Sequence, residues 1–435
     1  MPSKYALNVD HEQNITRLSP ANWRRAVLNS GLGVAAIVLA GCGGGYNAPS
    51  TTAATNAYTP APAPAVVSTI NNLGSIKQVA SAVGANGDAN PYGIAIAPSS
   101  FNGLNADGSK SVLQPGDLIL TDFSDKTGAN VGTSILRYSP STASISPFYT
   151  EHVGTGPVAV AISSKGASWI ANFQPGYTNS ADGTTTGDGN VVVITPNGTD
   201  IPNNMGIIDN NSGATFNPAV NKYAGPWGQA FGVKAGSTTP HFFVSNVDSG
   251  HGWVQREDFT APNFNKATVT TIALEATGTN AFDPTGPQGM VYDPKTDILY
   301  VASTADNKIW AIPNATTAAP STSPGILVYA NPQNGATPLN GPVGMTINPI
   351  NGDLIVADQL DNNLVEIAPN ATLGANGYTF SATLVGTKLV DNTAVNATAG
   401  TGSALFDIVA NTDASGNLEV YYVDSVTNTL NLLSH

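Results

Sequence analysis

The chain has 435 residues, with 16 basic against 29 acidic, a formal net charge of −13, and only 10% charged residues. Its 45 glycines and 30 prolines cut it into short runs rich in Val, Ile, Thr and Tyr, which describes many short strands joined by turns rather than helices. No basic stripe is present to neutralise phosphates, which argues against nucleic acid as a partner.

Residues 1–41 read as a targeting segment and are set aside from the fold. Arg24 and Arg25 precede the weakly apolar run GLGVAAIVLAG at 31–41, about half the roughly 20 residues a membrane-spanning helix needs. The run ends in Leu39-Ala40-Gly41-Cys42, which resembles a bacterial lipobox. That resemblance implies cleavage before Cys42 and acylation of its thiol, with palmitate among the acyl chains. Cys42 is the only cysteine, so it cannot form an intramolecular disulfide. Trp23-Arg24-Arg25-Ala26-Val27-Leu28 resembles a twin-arginine export motif, with Trp23 standing where Ser or Thr is usual, so both the Sec and the twin-arginine routes stay open. Gly43 lacks the aspartate associated with inner-membrane retention, which favours the outer membrane. Removing 1–41 takes away four basic and two acidic residues and moves the net charge to −15. Such a body is repelled by anionic headgroups, leaving acyl chains as the membrane anchor.

Residues 42–67 continue with three glycines and a run of Ala, Thr and Pro. Small residues of this kind bury too little apolar surface to order themselves, so the segment reads as a semi-extended tether.

From residue 68 the chain repeats itself. GPQGMVYDPKTDILYVASTADNKIWAIP at 286–313 returns as GPVGMTINPINGDLIVADQLDNNLVEIAP at 341–369. Related units start at Pro91, Pro157 and Pro226, and a degenerate sixth starts near Ser403. Pro91, Pro157, Pro226, Pro287 and Pro342 lie 66, 69, 61 and 55 residues apart. Each unit offers three strands of five to eight residues and a more variable fourth. That period and strand count predict an all-β, six-bladed propeller over 68–435, with four-stranded blades. The last unit stops after its third strand, so the stretch 69–80 is expected to pair into it and cover the open edge. The pattern Pro-x-Gly, then Gly-Asp-Leu-Ile-Val-Ala-Asp, then Asn-Asn-Leu-Val-Glu-Ile resembles the NHL-repeat family of six-bladed propellers.

In such blades the loop entering the first strand and the turn after the second open on one face. This places Tyr92, Val158, Trp227, Gln288 and Val343 around the channel mouth, beside Asp122, Asn172, Asn246, Ser303, Asp358 and Asp424. Aromatic rings beside carboxylates and amides suit a sugar, a peptide or a cation. A position repeated in nearly every blade equally suits a turn cap. His251, in a turn on that face, is the candidate general base or ligand, whereas His241 and His152 fall elsewhere. No spacing suggests zinc, and no cofactor is expected. DGTTTGDGN at 182–190 could wrap calcium, but it departs from the EF-hand order and also reads as an insertion loop.

The resemblance alone leaves the activity open, because NHL-like propellers include lactonases, lyases and binding scaffolds. Metal lactonases resembling regucalcin use an early glutamate, and none occurs in 67–150. Lyases of related shape need several histidines, or a His–Glu pair such as His251 with Glu257. The expected function is therefore a lipid-anchored, monomeric binding module of a bacterial envelope, contacting a protein or carbohydrate through one face. The alternative is a metal-dependent hydrolase or lyase using Asp and Asn at the channel mouth.

Overall fold

The computed structural model describes residues 67–126, 131–174, 189–208, 223, 225–247, 252–274, 286–304, 306–375, 377–396 and 402–435. Cys42, the tether, His251 and most of the 182–190 loop fall outside these residues.

Strand β1 (Ser75–Ser81) is followed by four strands per blade. Blade one holds β2 (Ala89–Ile96), β3 (Leu118–Ser124), β4 (Ser134–Ser139) and β5 (Ser144–Thr150). Blade two holds β6 (Thr155–Ile162), β7 (Ser168–Gln174), β8 (Asn190–Ile194) and β9 (Ile207–Ile208). Blade three holds β10 (Pro226–Gly232), β11 (His241–Asn246), β12 (Trp253–Asp258) and β13 (Thr268–Leu274). Blade four holds β14 (Pro287–Asp293), β15 (Ile298–Ser303), β16 (Lys308–Pro313) and β17 (Ile326–Ala330). Blade five holds β18 (Pro342–Ile347), β19 (Leu354–Asp358), β20 (Asn363–Gly374) and β21 (Gly377–Leu389). Blade six holds β22 (Leu405–Thr412), β23 (Leu418–Asp424) and β24 (Thr429–Ser434), with β1 as its outer strand. All six sheets are antiparallel, so the chain is an all-β, six-bladed propeller.

The inner strands β2, β6, β10, β14, β18 and β22 pack against one another in a closed ring. Their crowding explains the Pro-x-Gly signature. A Cβ on Gly228 would collide with the Gln288 carbonyl oxygen of the next blade, and one on Gly344 would come within 2.6 Å of the Asp407 Cα. Side chains longer than hydrogen cannot stand there without pushing the blades apart. Pro226, Pro287 and Pro342 are the first residues of their strands, where a missing N–H costs no ladder bond, whereas Pro91 and Pro157 stand third in theirs.

The repeated asparagines in the turns after the second strands are clasps between blades. Asn307, Asn362 and Asn428 adopt left-handed φ of 52°, 57° and 55°, which Asn tolerates better than most residues. The Asn307 side chain accepts the Gly341 N–H at 2.7 Å, and that of Asn428 accepts the Asn90 N–H at 2.7 Å. Asn362 accepts the Ala404 N–H at 2.9 Å and donates to the Gly402 carbonyl. Each one ties its own blade to the entry loop of the next.

Ring closure follows the expected plan, with the strand beginning at Ser75 and a single 3-10 turn, Ile70–Asn72, before it. β1 pairs with β24 from Ser75↔Ser434 to Ser81↔Thr429. Ahead of it, Ile70 and Leu73 are fully buried between blades five and six. Glu366, buried on β20, accepts hydrogen bonds from the Ser68 hydroxyl (2.8 Å), the Thr69 N–H (2.8 Å) and hydroxyl (2.5 Å), and the Ile70 N–H (3.3 Å). These contacts hold its carboxyl below the usual range despite the opposing effect of burial.

Candidate functional site

The blades differ at the residue that follows the opening proline, or at its counterpart Phe406 in blade six. Val158, Val343, Tyr92, Trp227 and Phe406 line a channel cavity of about 30 Å³, room for about two waters. The Tyr92 ring stacks on Phe406 (centroids 3.7 Å apart) and on Phe123 (4.3 Å). Trp227 leans on Tyr92 at 5.9 Å and meets Phe173 edge-on at 5.4 Å. Tyr92 and Trp227 therefore meet. Tyr92, Phe173, Trp227 and Phe406 are each half-buried, so together they form an aromatic floor at this small cavity. Burial pushes the Tyr92 phenol well above its ordinary value, keeping it neutral.

Three of these rings escaped the sequence reading. Phe123 and Phe173 follow Asp122 and Asn172 directly, so an Asp-Phe and Asn-Phe pair in consecutive blades was the available signal. Phe406 and Asp407 sit where four other blades carry x-Gly and blade two carries Val158-Ala159, in a unit that lacks the proline landmark.

Asp407 is the carboxylate among the residues lining the cavity. It accepts the Ile94 N–H of blade one at 3.2 Å and its own Ile408 N–H at 2.9 Å. Burial outweighs those bonds and pushes its carboxyl up to about 7. Gln229 also lines the cavity, and its buried carboxamide has no hydrogen-bond partner among the described residues.

The remaining candidates stand away from the cavity. Asp122, Asn172, Asn246, Ser303, Asp358 and Asp424 occupy equivalent buried positions at or near the ends of second strands, and none lines it. Asp122 lies opposite Pro91, Asn172 opposite Pro157, Asn246 opposite Pro226, Ser303 opposite Pro287 and Asp358 opposite Pro342. Asp358 accepts the Asn340 N–H at 3.0 Å, Asp424 accepts those of Val426 and Thr427, Ser303 donates to Asp306, and Asn172 donates to Asn190. Asn246 donates to Gln255. Burial, reinforced by the Asp88 charge, pushes Asp122 up to about 9. Burial raises Asp358 and Asp424 as well. Gln288 is buried, and its carbonyl accepts the Ser245 hydroxyl. Glu257 is buried and bonded to Tyr223 and Gln255, whereas its suggested partner His251 lies outside the described residues. His241 pairs with Asp258 at 2.6 Å, and His152 with Tyr149 and Asp200. Among the described residues, no group of three or more His, Cys, Asp or Glu side chains could hold a metal ion.

On the opposite face, a more open cleft of about 830 Å³ runs between blades one and two, past Asn102, Asn105, Asp107, Lys165 and Asn197. Its polar groups are largely spent on one another, as in Asn105–Ser109, Asp107–Ser109 and Thr195–Thr199.

No protein-family model matches the chain, and no curated protein matches it. Among solved structures it is similar to auxiliary nutrient binding proteins from two Bacteroides species. The one from Bacteroides thetaiotaomicron shows 12% identity and a TM-score of 0.45, over 79% of this chain and 69% of that one. The one from Bacteroides ovatus shows 13% identity and a TM-score of 0.44, over the same shares. A Thermus thermophilus protein, provisionally named an oxidoreductase (glucose dehydrogenase), shows 14% identity and a TM-score of 0.44, over 82% and 99%. Likenesses of this size carry no argument about function.

Proposed function

We propose that the chain is an exported lipoprotein of the NHL-repeat kind, anchored through Cys42, that binds a carbohydrate or protein partner on the aromatic floor. One observation carries this reading: four half-buried rings from blades one, two, three and six come together beside a cavity with room for about two waters. Rings presented in this way offer large, rigid apolar area to a sugar face or an apolar side chain at low entropic cost. Trp227→Ala is expected to abolish capture of envelope glycans or proteins, while Trp227→Phe retains part of it. Unchanged capture in Trp227→Ala would refute the reading.

A hydrolase or lyase reading draws on Asp407, a channel carboxyl that titrates near neutrality. Turnover that disappears in Asp407→Asn while ligand capture persists would favour it.

A further inference from the structure

The cavity beside the aromatic floor has room for about two waters, so a slim group enters it and a sugar ring does not. Its lining holds one charged side chain, Asp407, and no Lys or Arg. Tyr92, Trp227, Gln229, Phe406 and Asp407 each keep part of their surface exposed, so they border the recess without sealing it. The three rings stand near the entry ends of β2, β10 and β22, and Gln229 lies two residues beyond Trp227 along β10.

Two polar groups in this recess have bonding capacity to spare. Gln229 Oε1 and Nε2 are buried with no hydrogen-bond partner among the described residues, a cost that folded proteins rarely leave standing. Asp407 Oδ2 accepts the Ile94 N–H and Oδ1 accepts the Ile408 N–H, which leaves each oxygen able to accept once more. An occupant that answers both groups must donate to a carboxylate and to an amide oxygen. It must also carry positive charge, because a carboxylate taken out of water is stabilised by a paired cation. Water donates but brings no charge. A guanidinium or a quaternary ammonium brings charge but is too broad for the space. A primary ammonium meets every requirement: it fills about one water's place and offers three N–H donors. The second place keeps a water, which accepts from Gln229 Nε2.

We propose that this recess takes the ammonium group of a lysine side chain presented by a protein partner, a proposal that rests on the floor being the partner-binding surface. The ammonium donates to Asp407 and to Gln229 Oε1. The methylene stem behind it lies along Tyr92, Trp227 and Phe406, whose apolar faces cover the stem and whose π-electrons favour the approaching cation. A net charge of −13 draws such a partner toward the body from a distance.

The test is calorimetric titration of the full chain with acetyl-Gly-Lys-Gly-amide at pH 8, above the value of about 7 to which burial raises Asp407. Millimolar binding is expected. The same peptide with uncharged norleucine for lysine, or with Nε-trimethyllysine, should bind about tenfold more weakly or worse. Asp407→Asn should weaken the lysine peptide by a similar factor and erase its advantage over norleucine. Gln229→Glu supplies a second carboxylate and should tighten the lysine peptide several-fold, a gain that a damaged fold does not produce. Norleucine or trimethyllysine peptides that match lysine on the parent chain would overturn the proposal, as would no binding up to tens of millimolar. So would lysine affinity unchanged in both variants. Capture of envelope proteins that requires Trp227 yet survives acetylation of their lysines would overturn the lysine pocket while leaving the floor as the binding surface.

Discussion

Gly228 and Gly74 are the same amino acid in opposite circumstances. A Cβ on Gly228 meets the backbone of the neighbouring blade, whereas one on Gly74 meets nothing within 4 Å. Gly228→Ala should therefore cost about 2–3 kcal/mol by overpacking, and Gly74→Ala should be neutral or slightly stabilising. Denaturant midpoints at matched slope separate the two. Asn362→Gly keeps the left-handed turn but loses the clasp to Ala404 and Gly402, for an expected loss of about 1–3 kcal/mol. Asp407 predicts a pH effect of definite sign. Its folded carboxyl binds the proton more tightly than the unfolded one, so it lowers stability as pH rises from about 4 to about 7, after which its contribution is flat. Asp407→Asn should flatten the stability–pH curve across that window relative to the parent. An unchanged slope would show that the carboxyl is not raised.

At the scale of elements, the segment 68–81 does two jobs. Its strand completes blade six, while Ile70, Leu73 and the bonds to Glu366 bridge blades five and six. Leu73→Ala should cost about 2–4 kcal/mol through the cavity left between the blades. Glu366→Gln should cost about 1–3 kcal/mol, because an amide can accept only part of what the carboxylate accepts. The depressed Glu366 carboxyl contributes stability above its unfolded value that fades as pH falls through the folded one, so acid should open this seam. The strands were legible in the sequence because Pro-x-Gly, the Gly-Asp turn and the Asn-Asn turn each encode a local backbone need that recurs from blade to blade. The closing strand was legible from the missing fourth strand of the last unit. The floor was half legible. Tyr92 and Trp227 stood out as aromatic at a position that the other proline-opened units fill with Val or Gln, whereas Phe406 hid in a unit with no proline. Glu366 as the anchor of the seam was not legible, since a carboxylate on a third strand carries no local sign of a partner 298 residues away.

For the whole molecule, the six blades share one ring, and each clasp and glycine contact joins neighbours. Unfolding of this body is expected to be a single cooperative transition, checked by coincident tryptophan fluorescence and circular dichroism. At the same scale, Cys42→Ala should abolish incorporation of labelled palmitate and shift the protein from membrane to soluble fractions, leaving the thermal midpoint unchanged.

The seam also lies where the folded body meets the segment leading back to Cys42. Any tension arriving along that segment reaches Ser68 and Thr69 before it reaches β1, and is borne first by the buried Glu366 carboxylate. The joint that completes the circle is therefore also the mechanical fuse of the molecule. Under load in an optical trap, the first rupture should release residues 68–81 from blades five and six and uncover the free edge of β24, with the other five sheets still intact.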